Sequence, residues 1–232
     1  MRLPLVAAIA LTALAAGGAI GWQSHVPKLS ALLYATNRLI VVQVHLDEAP
    51  PDYILVEGDS QAELQSTGQR VCGLELVNAG INGASAAIYA DLLDRVTIPT
   101  RPRAAVLTIG TNDLFTKGDP RSAGSIARFE QSLARIVGKL RGVTDRVVVT
   151  AVPPIGRRAG AKLDAEAVGV YSARIRGFCE RGGCTYADPF ADLRDGDGGY
   201  AVAGALRDDL HIAGYRRVMR ALEPALCPAS AP

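Results

Sequence analysis

The stretch YILVEGDS at residues 53–60 is an apolar run that ends abruptly in a small polar loop. The same change occurs in AAVLTIGTND at residues 104–113. Apolar runs of this kind occupy residues 53–56, 74–77, 104–109, 147–152 and, more weakly, 185–187. They are continuously apolar rather than alternating, which is typical of strands covered on both faces.

Segments with helical periodicity separate these runs. Apolar residues recur at helical spacing over residues 126–140, and Gly142 is expected to end this helix. A second set, residues 215–222, predicts a last helix that Pro224 stops. Strands alternating with helices predict an α/β protein: a three-layer α/β/α sandwich around a parallel sheet of about five strands.

The amino-terminal part of the chain differs from the rest. Residues 3–22 contain no charge and follow the single cation Arg2, which predicts a signal peptide or an uncleaved membrane anchor over residues 1–22. We expect residues 23–51 to be a connector, with a short helix around 29–38 and a peripheral strand at 39–44. One domain then spans residues 52–227, followed by a tail at 228–232.

The charge distribution and the cysteine count fit an exported chain that does not bind nucleic acid. The chain has 232 residues and a formal charge of +2, with bases and acids interspersed, so nothing indicates nucleic-acid binding. Four cysteines in an exported chain indicate two disulfides, and three pairings are possible. We favour Cys179 with Cys184 and Cys72 with Cys227. We therefore expect a periplasmic or secreted protein, which residues 3–22 would tether to a membrane if they are not cleaved. The sequence does not indicate an oligomeric state.

The polar loops that follow the predicted strands contain the residues suited to chemistry. Ligands of parallel sheets bind at the carboxyl ends of the strands. The loops there are Gly58-Asp59-Ser60, residues 78–83 and residues 110–113, and a late loop holds residues 208–211. Of the three histidines, His25 and His45 precede this framework and only His211 falls within it.

Ser60 and His211 are candidates for a nucleophile and its base. A serine hydroxyl becomes a good nucleophile when a histidine takes its proton and a carboxylate orients that histidine. Asp208 precedes His211 by three residues, in a turn that can bring the carboxylate to the imidazole Nδ1. The helix expected to begin near Ala62 would point its positive end toward negative charge developing at Ser60.

An acyl-transfer reaction also needs donors for the oxyanion of its tetrahedral intermediate. The Ser60 N–H, the Gly83 N–H and the Asn112 side-chain amide are our candidates, with Gly80 as the alternative to Gly83. Each piece alone is ordinary, and Asp208 in isolation reads as a helix N-cap. It is their occurrence together and in order that favours a site.

Two further alternatives are weaker. Ser85 follows Gly83-Ala84, but the second glycine of the Gly-x-Ser-x-Gly nucleophile motif is absent. The aspartates at 192, 195 and 197 resemble part of a calcium loop, but the full spacing and terminal glutamate are missing, so we favour a solvated turn. We predict neither a metal nor a cofactor.

The ordered set of motifs resembles the SGNH hydrolases, also called GDSL esterases/lipases, over about residues 52–226. The resemblance implies a flavodoxin-like sandwich and a metal-free ester hydrolase. It makes Ser60 the nucleophile, Asp208 and His211 its triad partners, and Gly83 and Asn112 part of the oxyanion hole. The sequence Val152-Pro153-Pro154 also resembles the family's fourth-strand ending. Gln61-Ala62 departs from it, since the family more often has Leu or Ile after the nucleophile.

These features predict an exported serine esterase that acts on a small-molecule or saccharide ester. Few aromatic residues and no visible lid insertion favour small or medium acyl groups, such as O-acetyl groups on saccharides, over triglycerides. Lysophospholipids and thioesters stay open as substrates, as does acyl transfer to a sugar. The alternative from another class is a non-catalytic envelope-binding module that keeps the fold.

Overall fold

Five parallel strands form one sheet in the order β2-β1-β3-β4-β5. The structure is a computed structural model that describes residues 31–66, 68–196 and 198–227. The strands are β1 (Ile54–Gly58), β2 (Leu76–Asn78), β3 (Ala104–Thr108), β4 (Val147–Thr150) and β5 (Thr185–Ala187). Each lies where the sequence predicted a strand, and no end is displaced by more than two residues.

Six α-helices accompany the sheet in the described part of the chain. They are α1 (Ala31–Asp47), α2 (Ser60–Glu63), α3 (Ala86–Leu93), α4 (Ala123–Arg141), α5 (Ala165–Glu180) and α6 (Tyr215–Leu226). The predicted amphipathic helix at residues 126–140 is α4, and Gly142 caps it as expected.

The sheet separates two apolar cores. Along β1, Leu55 belongs to one core, while Ile54 and Val56 belong to the other. Residues of α1, α3, α4 and α5 complete the first core, and residues of α2 and α6 complete the second. Burial on both faces explains why the strands are continuously apolar. The predicted three-layer α/β/α sandwich is therefore confirmed.

The strand predicted at residues 39–44 is wrong, because this segment lies inside α1. Leu39, Val42 and Leu46 are buried in the first core, at the spacing of three and four residues that marks one helix face. Ile40 and Val44 are exposed on the other side. A short segment that is apolar on both faces of a helix has the same continuous apolar pattern as a buried strand. This similarity explains why the pattern at residues 39–44 predicted a strand.

Pro224 does not stop the last helix, as the sequence predicted, since α6 continues to Leu226. A proline removes one backbone donor, and here that loss falls in the final turn of the helix. The Cys227 N–H donates to the Glu223 carbonyl at 2.7 Å, so the turn closes around the proline.

Both predicted disulfides are present. Cys72 pairs with Cys227 and Cys179 pairs with Cys184, with Cα–Cα distances of 5.6 and 4.7 Å. The first joins the loop before β2 to the end of α6, across 155 residues. Two disulfides are typical of a protein that folds outside the cytoplasm.

The predicted signal or anchor segment at residues 1–22 and the tail at 228–232 lie outside the described residues. The described residues from 35 to 227 form one compact unit, and of residues 1–34 only the first turn of α1 is described. No helix in the described ranges is long and apolar enough to cross a membrane.

Candidate active site

The loops after β1, β2 and β3 leave the sheet at one edge, because these strands are parallel neighbours. Gly58 at the end of β1 pairs with Thr108 at the end of β3. The loops that carry Ser60, Gly83 and Asn112 therefore start side by side at the carboxyl ends of the strands, where ligands of such sheets bind.

Ser60 lies on a sharp turn between β1 and α2. Gly58 has a φ of +131°, and a Cβ there would lie 1.8 Å from the Thr108 carbonyl oxygen, so only glycine fits. Asp59 is the N-cap of α2, and its Oδ1 accepts a hydrogen bond from the Gln61 N–H at 2.9 Å. The turn holds Ser60 firmly, and the residue is 2% exposed.

The helix at the serine begins earlier in the chain than the sequence predicted. It begins at Ser60 rather than near Ala62 and has four residues, so it offers only the N–H groups of one turn. Asp59 beneath it is fully buried, and its Oδ2 accepts from the Thr111 N–H at 3.1 Å. Burial raises the pKa of Asp59 to about 6, despite these hydrogen bonds.

His211 lies between Ser60 and Asp208. Its Nε2 is 3.1 Å from the Ser60 Oγ, and its Nδ1 is 2.8 Å from the Asp208 Oδ2. The histidine side chain is 18% exposed, so one edge of the ring reaches solvent. The structure thus brings together the three residues that the sequence predicted as nucleophile, base and orienting acid.

Asp208 also organises the turn that carries the histidine. Its Oδ1 accepts from the His211 N–H at 2.8 Å and from the Leu210 N–H at 3.2 Å. Partial burial alone would raise the pKa of Asp208, but these bonds and the contact with the His211 ring outweigh it and lower the pKa. The residue is not a helix cap, because the N-cap of α6 is Gly214.

Gln61 joins the serine turn to the histidine segment. Its Nε2 donates to the Leu210 carbonyl at 2.7 Å, and its Oε1 accepts from the Tyr215 hydroxyl at 3.0 Å and the Ile212 N–H at 3.4 Å. The side chain is 3% exposed. The sequence marked Gln61 only as unusual, and the structure shows its amide bonded on both sides of His211.

The contacts of the two candidate glycines differ. Gly80 donates its N–H to the Asn78 Oδ1 at 2.9 Å, and a Cβ at Gly80 would lie 2.2 Å from the Glu63 nitrogen. Gly80 therefore serves close packing. Gly83 has a φ of +78° and open space around it, and no group in the described ranges accepts the Gly83 N–H or the Ser60 N–H. These contacts favour Gly83 over Gly80 as a donor.

Asn112 has one amide hydrogen engaged and one to spare. It lies in a 3₁₀ turn, Thr111–Leu114, directly after β3. Its Nδ2 donates to the Ala84 carbonyl at 3.1 Å, which ties it to the loop that carries Gly83. An amide nitrogen has two hydrogens, so the second can donate to a ligand.

Arg38 is a residue that the sequence analysis missed. Its Nε donates to the Gly80 carbonyl at 2.9 Å, its Nη2 donates to the Asn78 carbonyl at 3.1 Å, and it lies 3.8 Å from the Glu63 Oε2. Glu63 in turn accepts from the Asn82 N–H at 2.6 Å. Arg38 and Glu63 together hold the loop after β2. No local sequence pattern reveals the role of Arg38, because it lies about 40 residues from the loop that it binds.

Ser85, the alternative nucleophile, is the N-cap of α3. Its Oγ accepts from the Ile88 N–H at 3.4 Å. Within the part of the chain that the structure covers, no histidine is bonded to its hydroxyl, so Ser85 lacks the base that Ser60 has.

Two of the three aspartates of the weak calcium resemblance form ion pairs. Asp192 lies 3.3 Å from Arg217, and Asp195 lies 2.6 Å from Arg157. Asp197 is outside the described residues. Among residues 31–66, 68–196 and 198–227, no group of three histidine, cysteine or acidic side chains is placed to hold a metal ion.

Solved structures share this fold. A protein from Streptococcus pneumonia has a TM-score of 0.70 and 20% identity, covering 92% of this chain and 99% of its own. A GDSL-like lipase from Bacteroides thetaiotaomicron has a TM-score of 0.62 and 16% identity, covering 85% and 97%. An acetylxylan esterase from Geobacillus stearothermophilus has a TM-score of 0.56 and 16% identity, covering 78% and 96%. Comparison with curated proteins finds no match.

The five-stranded parallel sheet, covered by helices on both faces, has the α/β fold of the SGNH hydrolases. The GDSL-like Lipase/Acylhydrolase family matches residues 55–217, which is most of the chain, and the protein belongs to it. The predicted family is confirmed. The protein is a carboxylic ester hydrolase.

Proposed function

We propose that this hydrolase is an exported serine esterase with Ser60 as nucleophile, His211 as base and Asp208 as the orienting acid. The observation that carries the proposal is the 3.1 Å contact between the Ser60 Oγ and the His211 Nε2, two residues that are 151 positions apart. A contact of this length allows direct proton transfer.

The reaction follows from this arrangement. The Ser60 Oγ attacks the ester carbonyl carbon while the His211 Nε2 takes its proton. The tetrahedral intermediate then expels the alcohol, which receives that proton, and leaves an acyl group on Ser60. Water, deprotonated by His211, attacks the acyl carbonyl. The second tetrahedral intermediate then releases the acid, and His211 returns the proton to the Ser60 Oγ. The ionised Asp208 stabilises the imidazolium in both halves.

The oxyanion of each tetrahedral intermediate requires preorganised donors. We assign this role to the N–H groups of Ser60 and Gly83 and to the Asn112 side chain. Their support is that both N–H groups lack an acceptor in the described residues and that the Asn112 amide has a free hydrogen.

Removing the Asn112 amide is expected to slow the chemical step. In Asn112→Ala, kcat should fall by about 10²- to 10³-fold with KM little changed, because the donor acts on charge that develops only in the transition state. Steady-state hydrolysis of p-nitrophenyl acetate measures this. Asn37→Ala, on the exposed face of α1, is the control and should keep wild-type kinetics. An unchanged kcat in Asn112→Ala removes Asn112 from the oxyanion hole.

Gln61 is expected to act as a positioning residue for His211. Gln61→Leu introduces the residue that the family more often has at this position and removes the three hydrogen bonds of the Gln61 amide. Because His211 is then held less firmly, kcat should fall about tenfold with KM little changed. Tyr215→Phe removes only one of these bonds and should cost less than about threefold. Kinetics and thermal melting are measured together. A lowered melting temperature with an unaltered kcat would mean that Gln61 only stabilises the fold.

The substrates that we propose are esters of small or medium acyl groups, with O-acetylated saccharides as one candidate class. The acetylxylan esterase of similar fold supports testing the saccharides. Lysophospholipids and thioesters are the alternative substrates. Assays of the full chain on acetyl, butyryl and long-chain p-nitrophenyl esters, acetylated xylan and a lysophospholipid separate these classes. Highest kcat/KM on the lysophospholipid or the longest ester would contradict our assignment.

We also propose that the protein is exported. Two disulfides and the uncharged stretch at residues 3–22 support this location. In this proposal residues 1–22 are a signal peptide or tether, residues 23–51 connect it to the hydrolase domain at residues 52–227 and also contribute α1 to the first core of that domain, and a short tail follows.

A further inference from the structure

A cavity of about 260 Å³ opens beside Asn112, on the side of the sheet that α4 and α5 cover. Aromatic rings and basic side chains line it, including Phe115, Phe129, Tyr171, Lys117 and Arg128. Asn112 also lies in the wall of this cavity, so the cavity borders the proposed oxyanion hole.

The two basic side chains are held in place without a carboxylate partner. The Lys117 Nζ lies 5.6 Å from the centre of the Phe115 ring, a cation–π contact, and the Arg128 Nη2 donates to the Ser125 Oγ at 2.8 Å. Within the described ranges, no acidic group lies within 4.0 Å of either cation. Each therefore keeps its charge available to a ligand.

Asp113 is the acidic residue in the wall of this cavity. Its Oδ2 accepts from the Ala86 N–H at 2.9 Å, and it forms no ion pair with a described cation. Burial raises the pKa of Asp113 to about 7, so near neutral pH it is only partly ionised. With Lys117 and Arg128 charged, the cavity is positive overall.

The proposed mechanism determines which part of an ester reaches the cavity. His211 protonates the leaving alcohol, so the alcohol lies on the histidine side, where the segment before α6 packs. The acyl chain must extend away from the histidine. Asn112 lies in the wall of the cavity and neither His211 nor Ser60 does, so we assign the cavity to the far part of the acyl chain rather than to the alcohol.

We infer that this cavity binds an acyl chain that ends in an anionic group, with its methylenes against the aromatic rings and its anion between Lys117 and Arg128. The substrate class is then half-esters of dicarboxylic acids, which fall within the medium acyl lengths. The inference rests on the proposed function of Ser60 and His211.

Paired substrates test this inference. We compare monomethyl esters of dicarboxylic acids from succinate to suberate with the matching amide esters, in which the free carboxylate is a neutral carboxamide. Methanol release by the full chain at low salt and pH 7 is the assay. At the best length, kcat/KM should be at least about tenfold higher for the carboxylate, and 0.5 M NaCl should reduce this ratio.

Charge-removing variants locate the effect. In Lys117→Gln/Arg128→Gln the ratio of carboxylate to amide kcat/KM should fall to about one, whereas Arg220→Gln, on the exposed face of α6, should keep the wild-type ratio. This inference is overturned if the wild-type protein shows a carboxylate to amide kcat/KM ratio of one or less at every acyl length. The proposed function survives that result if the amide esters are still hydrolysed in a Ser60-dependent manner. Failure to hydrolyse any ester in a Ser60-dependent manner overturns the proposed function as well.

Discussion

Replacing Ser60 or His211 with alanine is expected to lower kcat for p-nitrophenyl acetate by about 10³- to 10⁶-fold. Ser60→Ala removes the atom that forms the acyl-enzyme, and His211→Ala removes the group that takes its proton. The double variant should be no slower than the single ones, because the two side chains act as one unit. Residual activity would reflect the oxyanion donors. Thermal melting of Ser60→Ala should stay within a few degrees of wild type.

Two exposed residues of the same type serve as controls. Ser66→Ala and His45→Ala lie outside the site and should keep wild-type kcat. If Ser60→Ala kept more than a tenth of the activity in a freshly purified sample, the nucleophile would be another group. Mass spectrometry after treatment with a serine-directed phosphonate gives a second readout, since only chains with an intact Ser60 should gain the adduct.

Removing the Cys72–Cys227 disulfide is expected to have the largest effect on stability. The bond closes a loop of 155 residues, and the chain-entropy model predicts a loss of about 5 kcal/mol in the free energy of unfolding. It also pins the carboxyl end of α6, the helix that follows the His211 turn. The measurement is denaturant unfolding of Cys72→Ala/Cys227→Ala.

The second disulfide provides the matched control. Cys179 and Cys184 are five positions apart, so the same model predicts a loss of only about 2 kcal/mol for Cys179→Ala/Cys184→Ala. Equal losses in the two double variants would show that loop length does not decide the contribution of these bonds.

Much of the fold was predictable because each strand carries its own signal. A strand buried on both faces must be continuously apolar, and its exit into a loop needs glycine or short polar residues. This applies to residues 53–60 and 104–113. The same reasoning failed at residues 39–44, where α1 buries one face and leaves apolar residues exposed on the other. Local composition does not distinguish these two cases.

The candidate site was predictable where chemistry restricts the residue type. The base that activates a serine nucleophile is usually a histidine, and of the three histidines only His211 lies in a loop of the strand framework. The contact between Ser60 and His211 could therefore be predicted with few competing residues. Gln61 and Arg38 carried no such restriction. Their roles come from bonds to backbone groups about 40 to 150 residues away, and any residue type presents those groups.

The alternation of strands and helices, the positions of the polar loops and the nucleophile and base candidates were all predictable from the amino-acid sequence. Periodicity and side-chain chemistry are local properties, and each residue carries them wherever it lies. Three features of the site depend on how the chain folds. Among the described residues, the Gly83 N–H lacks an acceptor whereas the Gly80 N–H has one, Gln61 connects the serine turn with the histidine turn, and two cations line the same cavity as Asn112. Those features are distances between remote parts of the chain, and packing sets them.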